Sequence, residues 1–323
     1  MDIKPMPLPL ELVLNVITCS LPKYPNVLLS PSHPITQTLL SFTLVCHETR
    51  RVANRALLKH CAYFATEYSI RSFLLQIPGR PDLRKLQNLF LAPFVNIDDQ
   101  PMAHWVRELF QYTSASLKRL IIDIPLRNLY PEDDHLDVRR ILREGFLSLE
   151  NLEEFVSVRD ELFLDTIQHS DEPAVWKKWS ALKRLALYNV DADEAFWSDI
   201  ARMPQLQTLV LTRADGLREC NIKNCYSKFS KGRAMKVLLI NVATDQVGFS
   251  QLLRNGWDYA DPEKKMTIMT YNIPSLYADE GPIEVCQDFV RAGAENGTLW
   301  GWDGEIIQHP PKFAPRARAR LLD

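Results

Sequence analysis

Leu182-Lys183-Arg184-Leu185-Ala186-Leu187, followed by Tyr188 and Asn189, spaces its leucines by three and then two. Alternation at 185 and 187 is the period of a strand with one buried face, and Leu182 fits a buried entrance to it. The same signature recurs as Leu86-x-x-Leu89-x-Leu91, Leu117-x-x-Leu120-x-Ile122, Leu152-x-x-Phe155, Leu206-x-x-Leu209-x-Leu211 and Met235-x-x-Leu238-x-Ile240, with a degenerate Lys265-x-x-Ile268. Counting Leu182, successive copies start 31, 35, 30, 24, 29 and 30 residues apart. Helical patterns lie between copies at 103–112, 136–146 and 193–203, the last with Phe196, Trp197 and Ile200 on one face and a stop at Pro204. Another, at 281–294, follows the final copy. A strand–helix unit of this size cannot bury its own apolar face, so neighbours must stack into a parallel coil. A doubly wound α/β sheet would have a similar texture and stays open as an alternative.

In this register the residues between the leucines face away from the helices. They are Asn88, Phe90, Arg119, Ile121, Asp123, Arg184, Tyr188, Thr208, Val210, Thr212, Leu239, Asn241, Met269 and Tyr271. An apolar centre rimmed by Arg, Asn and Asp suits a protein interface, and Phe90, Arg119, Ile121, Asp123, Arg184, Tyr188, Val210, Thr212, Asn241 and Tyr271 are the candidate contacts. The competing reading is that Ile121, Val210 and Leu239 are covered, since parallel strands are often apolar on both faces. The ninth position of the copies holds Phe94, Pro125, Asp160, Val190, Ala214 and Ala243, so no side-chain ladder runs along the loops. A one-residue slip would turn every side chain of a strand over.

The N-terminal part has a different texture. LPLELVLNVITCS (8–20) precedes a break at 21–35 held non-helical by Pro22, Pro25, Pro31 and Pro34, and LLSFTLVCHETRRVANRALLKH (39–60) follows. Three helices are expected: one with Pro9 as its first residue, one at 36–46 and one at 47–60. On the first, Leu10, Val13, Leu14 and Ile17 share one face and Leu12, Val16 and Cys19 form a second apolar stripe. A three-helix unit buries too little surface to cover both, so the outer stripe needs another body.

Leu8-Pro9-x-Glu11-Leu12, then Thr43-Leu44-Val45-Cys46, then Arg50-Arg51-Val52-Ala53 resemble, in that order, the F-box in the form common in fungal proteins. The break at 21–35 is longer than usual there, and Leu57-Leu58 stand where the family often has a Trp. The later copies resemble the irregular leucine-rich repeats that often follow fungal F-boxes. The expected fold class is therefore α/β: a small three-helix F-box-like domain at 1–63, an irregular leucine-rich-repeat-like solenoid with a C-terminal cap at 64–309, and a basic tail at 310–323. The resemblance implies docking to the Skp-type adaptor, and through it to a cullin, in a ubiquitin ligase, with a target protein on the repeat face. Leu8, Pro9 and Leu12 are assigned to the adaptor by motif position; Val16, Leu40, Leu44 and Val45 are added by apolar periodicity. Such a receptor performs no bond chemistry, needs no cofactor and works in cytosol or nucleus. Two other classes remain open: a protein-binding scaffold whose helices only cap the repeats, and an α/β hydrolase or transferase with a divergent site.

Composition narrows the field. A formal net charge of -2 over 323 residues argues against nucleic acid as the main partner. With 11 glycines the chain is poor in the turns that cradle phosphates, and no phosphate loop, Gly-x-Ser-x-Gly or His-Glu-x-x-His occurs. No signal peptide or membrane span is expected. Cys46-His47 and His60-Cys61 could suggest zinc, but a helix between them separates the pairs by about 21 Å. Cys220 and Cys225 lack a second pair nearby. The acidic run Glu132-Asp133-Asp134 suits the start of a helix better than a metal. Trp300-Gly301-Trp302 suits a packed cap better than a stacking platform for sugar or peptide.

Overall fold

The computed structural model describes residues 8–24, 26–167, 173–230, 232–242, 252–274 and 281–308. The basic tail at 310–323 lies outside the described residues. The molecule is mixed α/β, with ten helices and a nine-strand, mostly parallel sheet among the described residues.

Three helices come first: α1 (Leu10–Ser20), α2 (Pro34–Phe42) and α3 (His47–His60). They close on Ile17, Leu39, Ala53 and Ala56, with Leu14, Ile35, Phe42, Val52 and Leu57 around them. Pro9 is the residue before α1 rather than its first helical one. The second helix stops at Phe42, short of the expected Cys46. The reason is local: Cys46 must be extended (φ -157°) to lead into α3, where its N–H donates to Thr49 Oγ1 at 3.1 Å. The intervening turn is held by Arg50 Nε donating to Thr43 O at 2.8 Å.

The sheet follows without a break. Its strands are β1 (Tyr63–Phe64), β2 (Asn88–Leu91), β3 (Arg119–Ile122), β4 (Glu154–Ser157), β5 (Arg184–Tyr188), β6 (Thr208–Thr212), β7 (Met235–Val242), β8 (Met266–Ile273) and β9 (Glu305–Ile306). They lie in sequence order, parallel through β8, with β9 antiparallel at the edge. The order never reverses, as a doubly wound sheet requires. Between strands come α4 (Glu67–Gln76), α5 (Gln100–Thr113), α6 (Val138–Leu147), α7 (Glu194–Arg202), α8 (Ile222–Ser230) and the short α9 (Trp257–Ala260). All pack into one core with Leu89, Leu120, Phe155, Leu185, Leu209, Val237 and Ile268, which pair as a ladder across the sheet. The β4–β5 connection is served by a 3₁₀ turn at Val175–Lys178, and Trp176 and Trp179 supply the missing bulk.

In the sheet region, sequence and structure part company in three further places. The first unit, β1 with α4, precedes the first Leu-x-x-Leu-x-Leu copy. In β7 the helix-side residues are Met235, Val237 and Leu239, so the expected register of Leu238 and Ile240 is off by one. Val237-Leu238-Leu239-Ile240 is apolar on both sides, and parity cannot be read from such a run. Most consequentially, the final helix α10 (Pro282–Glu295) does not join the others. It lies across the opposite face of the sheet, forming a second core in which Cys286, Val290 and Ala294 pack with Phe90, Ile121, Val156, Val210 and Leu238.

Candidate functional site

Two surfaces were expected to carry function, and the structure treats them differently. Of the inner stripe of α1, Ile17 is fully buried in the three-helix core with Leu14 against it, while Leu10, in the first turn, is exposed. The outer stripe is exposed. Leu8, Pro9, Leu12 and Val16 are exposed on α1 and its approach, Leu40 on α2, and Leu44 and Val45 on the turn after it. Among the six apolar side chains besides Pro9, exposure runs from 45% at Leu40 to 80% at Leu44. All seven expected adaptor contacts thus face solvent on one small unit. Large apolar side chains grouped outside a complete core are the kind of surface protein-interaction sites are built from.

The sheet face behaves in the opposite way. Phe90, Ile121, Tyr188 and Val210 are buried in the core that α10 and the cap form on this face, and Thr212 is buried too, so the strip expected to be open is roofed. Tyr271 is half-buried and stacks on Trp302 with centroids 4.9 Å apart, while Trp302 also meets Phe289 at 5.1 Å. Burial pushes the Tyr188 hydroxyl up to about 12, against the opposing pull of Arg213. The polar candidates are also engaged within the chain. Arg119 is buried and its guanidinium donates to Asn26 O and Ala294 O, while Nε lies 3.2 Å from Glu154 Oε2. Burial pulls the Arg119 pKa down, with Glu154 opposing. Asp123 accepts from Arg159 and, at 3.1 Å, from Arg291 on α10. Arg184 pairs with Glu154 at 2.7 Å. Asn241 accepts from Arg213 Nη1 at 3.0 Å and stands on the helix-side parity of β7, not among the other candidates. Apart from Asn241, which lies on the other face, these side chains are packed or paired within the chain rather than forming a free face.

The roof is legible afterwards as Val285, Cys286, Phe289, Val290, Gly293 and Ala294, an apolar stripe at helical spacing. Nothing in that spacing says which face of the sheet it covers. Burial of Glu295 raises its pKa, and it accepts from the Tyr63 hydroxyl at 3.2 Å, tying the end of α10 to β1.

The remaining sequence candidates have local roles. Asp134 accepts from the N–H groups of Val138 and Arg139, both at 2.8 Å, and so caps α6. His60 is buried with Nδ1 3.0 Å from Val27 O, and burial lowers its pKa. Trp300 donates to Glu154 Oε2 at 3.0 Å within the cap. Cys220 and Cys225 are buried thiols with sulfurs 2.9 Å apart, and burial beside Cys225 pushes Cys220 up to about 12. No group of three or more His, Cys, Asp or Glu that could hold a metal occurs among the described residues. No helix among them is long and apolar enough to cross a membrane. Compared with known proteins, the chain matches no family model, no curated protein and no solved structure.

Proposed function

We propose that this chain is a substrate-receptor subunit of a cullin-type ubiquitin ligase, an F-box-like three-helix unit followed by an irregular leucine-rich-repeat-like array. The observation that carries the reading is the uncovered apolar surface of Leu8, Leu12, Val16, Leu40, Leu44 and Val45. A unit that merely capped the sheet would turn this stripe toward the sheet. Instead its own small core is complete without those residues. Burying them against a Skp-type adaptor removes apolar surface from water at roughly 25 cal/mol per Å². The receptor itself then acts by proximity, presenting a bound target to the ligase. With the sheet face occupied by α10, a target would be held on another surface of the array or after α10 is displaced.

The test is co-expression with the adaptor followed by size-exclusion chromatography. The native chain should co-elute, and a Leu12→Asp, Leu44→Asp double variant should elute alone. Both positions are exposed, so the variant should unfold within about 0.5 kcal/mol of the native chain. A native, monodisperse chain that never co-elutes with the adaptor would overturn the proposal.

A further inference from the structure

Where α3 meets the start of the sheet there is a cleft of about 520 Å³, in the size range of small-ligand sites. Arg51, Arg55 and Lys59 line one wall, one helical turn apart on α3, and Arg80 and Lys85 line the other, from the segment leading to β2. Asp82 is the one carboxylate in the lining, and it is spoken for by Arg80 at 3.1 Å. Arg51, Arg55, Lys59 and Lys85 have no ion-pair partner among the described residues. This concentration of cations stands in a chain whose formal net charge is -2.

Like charges four residues apart on a helix destabilise it by a few tenths of a kcal/mol per pair. Here the same repulsion is repeated along α3 and then faced by further cations across a concavity. A solvated helix face does not require the second wall to be basic as well. Five cations against one carboxylate match the charge of about two phosphates, and the fork of an arginine suits phosphate oxygens. Asn54 and Gln87 add neutral amide donors at the same cleft.

We propose that this cleft is a binding site for a small ligand carrying two or more phosphate groups. The site draws on both the helical unit and the sheet, so the ligand fastens one to the other. It rests on residues separate from the apolar stripe and stands whether or not the adaptor binds.

The experiment is isothermal titration calorimetry of the full chain with inorganic tripolyphosphate, and with orthophosphate for comparison, at near-physiological ionic strength. Saturable one-to-one binding of tripolyphosphate, clearly tighter than orthophosphate, is expected. Arg55→Gln with Lys85→Gln should weaken it by about tenfold or more. Removing two exposed cations elsewhere, Arg71→Gln with Arg218→Gln, should leave it unchanged. Circular dichroism melting of both variants checks that these surface changes leave the fold intact. No saturable binding, or equal weakening by the two pairs of substitutions, would overturn the proposal.

Discussion

Asp160 lies buried beneath the loops after β3 and β4, where its carboxylate accepts from the N–H of Leu126 at 3.0 Å and of Leu162 at 2.8 Å. It occupies the one ninth position with a side chain suited to this work. Arg139 serves the same loops from α6, donating to Leu126 O at 3.2 Å, to Phe163 O at 2.9 Å and to Leu129 O. A single acid and a single base thus replace a repeated ladder, satisfying backbone groups that could not be buried alone. Burial, with Glu161 next to it, pushes the Asp160 carboxyl up from 3.8 to about 7, against the pull of the N–H donors. Its folded pKa is above its unfolded one, so the folded state holds the extra proton between those values. The stabilising contribution is complete below about 3.8 and lost as pH rises towards about 7. Urea unfolding across that window should show stability falling with pH. In Asp160→Asn, which cannot titrate, the slope should flatten.

At the scale of elements, α10 is the piece that sets this sheet apart from an open one. It comes close to the cap through Gly293, where an added Cβ would fall 2.3 Å from Trp302 Cζ2. Gly293→Ala should therefore push Trp302 off its stack on Tyr271 and cost about 1–3 kcal/mol, despite the better helix propensity of Ala. Thermal melting with tryptophan fluorescence reads both effects. The strands at β2, β3, β5 and β6 were legible because leucines recur there at the strand period beside residues of different character, such as Arg184 and Thr208, and β4 because Phe155 takes the same place after Leu152. The helices were legible from their stripes and stops. Lost to the sequence were the parity of β7, where both faces are apolar, and the roof, because helical periodicity records that a face is buried and not against what. The exposed N-terminal stripe was legible since it is surplus to the core of its own unit. The target strip failed for the converse reason: an apolar face of a sheet invites a neighbour, and here the chain supplies it.

Taken whole, the molecule is a row of units each touching the next, a form in which stability is ordinarily local and ends can peel away. Arg119 opposes that. Through Asn26 O and Ala294 O it fixes the break after α1 and the end of α10 to the same strand, and Leu28 N–H donates to Glu295 O at 2.8 Å alongside. Arg119→Met leaves Glu154 with less compensation and the Asn26 carbonyl without its donor, while Ala294 O keeps the Gly297 N–H, and should cost about 3 kcal/mol. The native chain should unfold in one step, with far-ultraviolet circular dichroism and tryptophan fluorescence coincident. In the variant the two curves should separate as the α10 end opens first.

The same clasp has a consequence for how the protein is made. Asn26 leaves the ribosome 268 residues (294 − 26) ahead of Ala294, with Glu295 one later. At about 5–20 residues per second, roughly 15 to 50 seconds pass between them. During that interval the seam at Arg119 stands open and the apolar face of the sheet is wet, so each nascent chain is vulnerable until α10 arrives. A messenger cut short before residue 282 would yield chains frozen in that state, with the exposed apolar stripe of the first three helices intact and the sheet permanently uncovered.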